Sequence, residues 1–444
     1  MKNGFSIKKI SGRRVWDSRG RPTVETEVLL NNGGFGRSIA PAGASTGSGE
    51  AVDLRDNNQA CGGYGVNNAV ANVNGEISET LLGLNAFDQK HIDQCLINLD
   101  GTENRGRIGG NAMIATSMAV AHAAADGDKK PLWNYLRDKE THLSKKIVLP
   151  LPEIQIFGGG AHAEGHLDLQ DFMVMPYGAS TFSEAMEWTA EIYLAAGSIM
   201  DAQGKRFGVA DEGGYWPVFK SNEEAIETLV KSIELAGFST EKQVGISLDI
   251  AATQLFSNEG YFLKSEKRLL NNDQWFDLML NWLKAYPIVA IEDPFVEDDF
   301  TRHAKLLAVI NTGVESGKNN SIELVGDDLL VTNIKNIAVA KEVNACNTLL
   351  CKPNQAGTLT EARLAFEGAK ENGWNTIVSA RSGETEDVTI VHLSLGWGIE
   401  QLKVGSFSRS ERMAKWNEMI RLEDRLGSDA VYAGGKPLGR NETS

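Results

Sequence analysis

No apolar run in this 444-residue chain approaches the ~20 residues that a membrane span needs. Cysteine is scarce: only Cys61, Cys95, Cys346 and Cys351, with no C-x-x-C pair. A chain of this size needs no disulfide staples, so the four read as reduced, mostly buried thiols. Basic residues are the minority, 44 against 59 acidic, for a net charge of −15. Binding a polyanion calls for a basic face, so nucleic acid is not an expected partner. An acidic substrate is not excluded, because carboxylates gathered around a divalent metal reverse the local sign. The start, MKNGFSIKKISGRRVWDSRG, lacks the apolar stretch of a signal peptide, and a cytoplasmic protein is the expectation. At 42% apolar the chain is too hydrophobic to be disordered throughout. Its length leaves room for a small domain beside a barrel of ~250–300 residues.

The pattern changes once along the chain. The first part reads as α+β. Ile7–Trp16 and Thr23–Leu30 alternate as strands around the turn-rich DSRGRP, and NNGGFG leads into a third short strand at Arg37–Ala40. Asn111–Ala125 is nearly free of charge and reads as a buried helix. Lys139–Lys146 is polar, and IVLPLPEI begins something new, which places domains at 1–141 and 142–444. From there short apolar strands alternate with amphipathic helices such as NEEAIETLVKSIELAG and LTEARLAFEGAKENG. Strand candidates are Val244–Ile250, Ile288–Ile291, Ile322–Val325, Thr348–Cys351, Thr376–Ser379 and Glu400–Leu402. Repeated β-α units imply a parallel sheet, and roughly 300 residues of them favour a closed (β/α)8 barrel of TIM type over an open sheet.

What ends each strand carries the function. Asp249 follows VGISL, Glu292 and Asp293 follow IVAI, and Asp327 and Asp328 follow IELVG. Lys352 follows TLLC, Arg381 and Ser382 follow TIVSA, and Lys403 follows IEQL. One such charge is an ordinary loop residue; six strands in succession are not. In a barrel all those ends meet at one mouth, where such folds keep their chemistry. Three carboxylates on adjacent strands suit a hard cation such as Mg²⁺, and the cationic groups opposite would face a substrate anion. A lysine beside Mg²⁺ and a second lysine should have a lowered pKa, which suits a general base.

At these residues the chain resembles enolase, nearly end to end. DSRGRPTVE, AGASTG, ADEGG, LDIAA, IEDPF, GDDLLVTN, KPNQAGT, RSGETED and RSER are similar to enolase segments in the family's order. The resemblance implies an α+β cap on a barrel whose first strands are irregular. It also implies the reversible dehydration of 2-phosphoglycerate to phosphoenolpyruvate with two Mg²⁺. By position, Asp249, Glu292 and Asp327 resemble ligands of the first metal, and Ser45 the loop residue that closes over the second. Lys403 resembles the lysine at the substrate carboxylate, Lys352 the base at C2, and Glu212 the acid that helps hydroxide leave C3. Arg381 and Ser382 resemble the phosphate-binding pair, and His162 the histidine of the GG-x-H-A lid. A homodimer is implied, with Arg13 and Arg14 near the usual interface arginine and Glu423 in the contacting segment; a higher oligomer such as an octamer stays open.

Several departures fall in the site. Ala42 stands in place of the serine of P-S-G-A-S-T-G, Asp171 in place of the glutamate of Q-E-F-M, and Ala380 in place of the histidine of S-H-R-S-G-E-T. The lid pattern N-x-x-N-G-G-x-H-A-G-N is here IQIFGGGAHAEGH, and G-D-E-G-G-F-A-P is Ala210 to Pro217. Asp171 should withdraw by one methylene from its partner, Glu212, and the loss of a histidine and a hydroxyl should leave a roomier, less polar phosphate pocket. Two other readings therefore stand beside the hydratase: a carboxyphosphonoenolpyruvate synthase-like paralogue of phosphonate pathways, and a non-catalytic enolase body. The expected substrate is a small phosphorylated or phosphonate carboxylic acid. Gly43–Gly47 also fits the G-x-S-x-G elbow, which needs strand–turn–helix context, and His162, Glu164 and His166 fit zinc only on one helix face. His122, in the apolar helix, reads as a packed core residue.

Overall fold

The structure is a computed structural model that describes residues 3–140, 143, 145–164, 167–313 and 322–440. His166 lies outside them. The amino-terminal layer is an antiparallel meander of Ile7–Trp16, Pro22–Leu30 and Phe35–Ile39. The first strand falls where the alternation places it; the third begins two residues earlier than expected. The turn between the first two is made by Asp17, whose Oδ1 accepts the N–H groups of Arg19 (2.9 Å) and Arg21 (2.8 Å). The buried helix, Gly110–Gly127, lies across this sheet. Its backbone comes so close that a Cβ on Gly36 would sit 2.0 Å from the Ala119 carbonyl. NGGFG is thus both a turn and a docking strip for the helix.

Eight strands close the barrel: Leu151–Gly158, Asp171–Met175, Gly245–Asp249, Ile288–Glu292, Glu323–Gly326, Thr348–Cys351, Asn375–Ser379 and Gln401–Ser406, the last pairing back onto the first. All neighbours are parallel except the second strand, which runs against both of its own. Its first residue, Asp171, therefore sits at the mouth, opposite Asp249 in register. Two apolar cores result. Leu151, Met175, Val325, Leu350 and Ile377 fill the barrel floor. The larger core lies between the strands and the surrounding helices and runs on into the amino-terminal layer. Side-chain caps start the outer helices: Ser221, Thr358 and Asp299, and Asn271 in a reciprocal box with Gln274. Each such cap contributes about 1 kcal/mol.

Polar seams join the layer to the barrel. Asp387 accepts from Ser38 Oγ (2.5 Å) and Ile39 N (2.9 Å). Asp93 accepts from Thr360 and Ser117, and its burial still lifts its pKa to about 6. His122 is bonded to Thr389 at 2.9 Å. Cys346 and Cys351 are buried, but Cys95 is half-buried and Cys61 exposed, so only half the thiols are inside; none is paired. Arg13 pairs within its own sheet with Glu25 and Glu27, and Glu423 caps the helix Phe182–Ala202 through the Phe182 and Ser183 N–H groups, both at 2.8 Å. No helix among the described residues is long and apolar enough to cross a membrane.

His303 is fully buried, edge-on to Phe295, with Nδ1 bonded to the Asp299 carbonyl at 2.9 Å. Burial lowers its pKa to about 4. The unfolded chain takes up this proton near pH 6.5 and the folded chain only near 4, so stability falls as pH drops through that window. The loss from this one group should reach about 3 kcal/mol. Denaturant melts of wild type and His303→Gln between pH 7 and 4 should show a shallower pH slope in the variant.

Candidate active site

Lys403 lies at the centre of the mouth. It is the third residue of the eighth strand rather than the residue after it, and is level with Ser379 on one side and Glu153 on the other. Its ammonium is bonded to Glu292 Oε2 at 2.7 Å and Asp249 Oδ2 at 3.2 Å, with Asp171 Oδ2 at 3.9 Å. Burial alone would strip its proton, at a cost of several kcal/mol for the buried charge. Each of the two nearest carboxylates returns about 5 kcal/mol at an effective dielectric of 20. Attraction wins, and Lys403 is held charged, its pKa well above the ordinary value. The carboxylates remain under-compensated. Burial, with Asp249 beside it, pushes Glu292 well up, and Glu292 Oε1 has no hydrogen-bond partner among the described residues. Asp249 and Glu292 thus offer hard oxygen donors beside Lys403, one of them free and buried, and Asp293, Asp327 and Asp328 bring carboxylate oxygens within 4.8 Å of one another, close enough to hold a cation.

Lys352 follows the sixth strand and its Nζ reaches Asp327 Oδ2 at 2.5 Å. Burial would lower its pKa, but Asp327 outweighs this and the pKa is raised in the metal-free site; the lowering expected was for a lysine beside Mg²⁺. The ion pair with Asp327 is what the spacing alone did not reveal. A second partner, Gln355, donates to Asp327 Oδ1 at 2.8 Å and to Glu50 Oε1 at 3.3 Å. Glu50 in turn holds Arg381 by both nitrogens, at 2.8 and 3.1 Å, while the Ser45 carbonyl takes Arg381 Nη2 at 3.0 Å.

The third group surrounds Asp171. Its Oδ1 accepts from His162 Nδ1 at 2.9 Å and from Gln155 Nε2, and His162 Nε2 stands 3.7 Å from Glu212 Oε1. Asp171 and Glu212 are linked through the His162 ring, which faces one with each nitrogen. Burial opposes charge on all three, yet their environments separate them. His162 is lifted to about 9 against its burial by Asp171 and Glu212. Asp171, despite burial, is held at about 2 by His162 and Lys403. Glu212 is raised by burial, with His162 opposing and Asp171 reinforcing. The result is one ionised acid, one imidazolium and one carboxyl that favours its proton.

These residues line one polar cavity of about 20 Å³, room for about one water. Gly43, Ala44 and Ser45 form one wall; Ala380, Arg381 and Ser382 form another. Ala380 lines this cavity and Ala42 does not. Ala42 and Gly383 exchange backbone hydrogen bonds at 2.9 and 2.8 Å, and Arg19 Nη2 donates to the Ala42 carbonyl at 2.8 Å. No helix opens directly after Ser45, so the elbow context is missing. His162 lies in the short turn Gly160–Ala163 and Glu164 is left-handed at φ 51°; the zinc reading also needs His166, which lies outside the described residues.

Family models match both parts of the chain: "Enolase, N-terminal domain" over residues 7–136 and "Enolase, C-terminal TIM barrel domain" over residues 146–440. The chain is also 45% identical over 432 residues to Enolase 1 of Desulfitobacterium hafniense (strain Y51), covering 97% of this chain and 96% of that protein. This chain belongs to the enolase family. Its enolase-like segments now have visible work. Arg412, in RSER, is fully buried and donates to the carbonyls of Arg381 (2.6 Å), Val404 (2.9 Å) and Ser382, so it sets the backbone of the anion-facing loop. Arg19, in DSRGRP, bridges Ser382 Oγ at 3.3 Å to the Ala42 loop. Asp293, in IEDPF, points its carboxylate at the N–H groups of Asp327 (3.1 Å) and Asp328 (2.6 Å), clamping the turn that presents Asp327. Asp293, Val331 and Thr332 all carry left-handed φ, at 41°, 42° and 50°. Such backbone persists only where its surroundings over-determine it. Thr332 shows how: its hydroxyl accepts Lys352 N at 2.9 Å and donates to Gln355 at 2.7 Å.

Removing the central charge leaves two buried acids unpaired. Lys403→Met should cost about 3–5 kcal/mol of stability in chelator, measured by denaturant melts, with part of it recovered on adding millimolar Mg²⁺.

Proposed function

We propose that this protein is a Mg²⁺-dependent phosphopyruvate hydratase, converting 2-phosphoglycerate to phosphoenolpyruvate and water. The observation that carries the reading is the separation of roles around one polar cavity. Lys352 stands on one side, Asp171, His162 and Glu212 on the other, and Lys403 between them beside the carboxylates. Identity to a curated enolase over almost the whole chain supports it.

Asp249, Glu292 and Asp327 would hold a divalent cation, with Ser45 turned toward a second. When bound, Mg²⁺ supplies stabilisation for the charge that builds on the substrate carboxylate. Lys403 faces that same carboxylate and shares the task. Arg381 and Ser382 receive the phosphate, with Arg381 aimed by Glu50. Lys352 takes the C2 proton, which it can do only after releasing its own; its grip on Asp327 is the brake on that step. The electron pair left by the C2–H bond is held on the carboxylate, then forms the C2–C3 double bond as the C3–O bond breaks. Glu212 gives its proton to the departing hydroxyl, which leaves as water. Asp171, ionised and bonded to His162, keeps Glu212 protonated. Gly43, Ala44 and Ser45 form one wall of the cavity, so movement of this loop would widen the way in for substrate. The phosphonate reading, which rests on the changes at positions 42, 171 and 380 and in the lid, is the alternative that the assays below decide. A homodimer in the cytoplasm remains the proposed setting.

Two assays with Mg²⁺ separate the roles: phosphoenolpyruvate formation by ultraviolet absorbance, and exchange of the C2 proton of 2-phosphoglycerate into deuterated water. Lys352→Ala should lose both by 10²–10⁴-fold or more. Glu212→Gln should keep exchange within about tenfold and lose elimination by about 10²–10⁴-fold. Wild type lacking both activities would leave a non-catalytic body; exchange without elimination would revive the phosphonate paralogue.

A further inference from the structure

Gln155 is fully buried on the first barrel strand, and its two ends face different partners. Nε2 donates to Asp171 Oδ1, the same oxygen that takes His162 Nδ1. Oε1 accepts Gly214 N at 2.8 Å. Gly214 belongs to the turn that carries Glu212, and a Cβ there would sit 2.4 Å from Gln155 Oε1. Glycine at 214 is thus what admits the amide. A single side chain ties the ionised acid to the loop of the protonated one, and His162 closes the ring from the other side.

Two departures from the family pattern meet at this bond. Seven residues before His162, where N-x-x-N-G-G-x-H-A has asparagine, this chain has Gln155. Where Q-E-F-M has glutamate, it has Asp171. The amide is one methylene longer and the carboxylate one methylene shorter, and they face each other across one hydrogen bond. An asparagine at 155 would stop ~1.5 Å short of Asp171. A glutamate at 171 would drive into the Gln155 amide or push His162 away.

We infer that Gln155 and Asp171 are a length-matched pair, and that Gln155 is the positioning residue that holds Asp171 in register with the Glu212 loop. The inference rests on the hydratase reading for its effect on turnover, but not for the pairing itself. It changes the meaning of Asp171: the shorter acid is one half of a compensated exchange, not a weakened site.

The test is a four-protein cycle of wild type, Gln155→Asn, Asp171→Glu and the double variant. Each single variant should lower kcat for 2-phosphoglycerate by about 10²-fold through an ångström-scale misplacement, with KM little changed. The double variant should return to within about fivefold of wild type. Losses that multiply in the double variant would overturn the pairing. The same four proteins, labelled at histidine and titrated by NMR, give a readout independent of turnover. The pKa of His162 should shift in each single variant and return in the double. Additive shifts there overturn the pairing even if wild type does not turn over 2-phosphoglycerate, an outcome that by itself removes only the hydratase reading. A merely structural Gln155 would lower the melting temperature of its variant and leave the His162 pKa and kcat unmoved.

Discussion

The buried ammonium of Lys403 is the constraint on which the mouth of this barrel depends. Asp249, Glu292 and Asp171 converge within 3.9 Å of it from three different strands. Without a cation among them these carboxylates would repel one another in a dry interior, against the backbone pairing that brings their strands together. The lysine offsets part of that repulsion and leaves part of it. Glu292 keeps a free buried oxygen and a raised pKa. This residual imbalance prepares the site for a divalent cation, since a site fully neutralised by lysine would gain little from metal.

Around this centre the chain keeps like charges apart by giving each its own partner. Lys352 is turned to Asp327, Arg381 to Glu50, and His162 to Asp171. The reversal of the second strand matters here. A parallel strand would present its carboxyl end at the mouth; the antiparallel one presents Asp171, its first residue, beside Asp249. The sheet thereby places an acid between the Lys403 cluster and the Glu212 loop. From there Asp171 feels both His162 and Lys403, which keep it ionised, and its own charge adds to the burial that raises the Glu212 pKa.

Closure is a backbone matter as much as a side-chain one. The Ala42–Gly383 bridge, Arg19 and the Ser45 carbonyl on Arg381 draw the glycine-rich loop over the cavity.

Much was legible in the chain itself. Periodicity located the meander, the buried helix and the βα units, because side-chain burial repeats locally with a strand's or a helix's own period. The charged strand ends were visible for the same reason, since strand termini are local features. What only the tertiary structure decided were the contacts between distant segments. Glu50 and Arg381 are 331 residues apart, and nothing near either announces the other. Gln155 was visible only as one letter of the altered lid pattern, and the fold set it against Asp171 and Gly214. The rise in the Lys352 pKa likewise followed from a distance, not a residue type. Local pattern determines which chemistry the chain carries; closure of the barrel determines which groups share a dry site, and there charge and hydrogen bonding set the protonation of each.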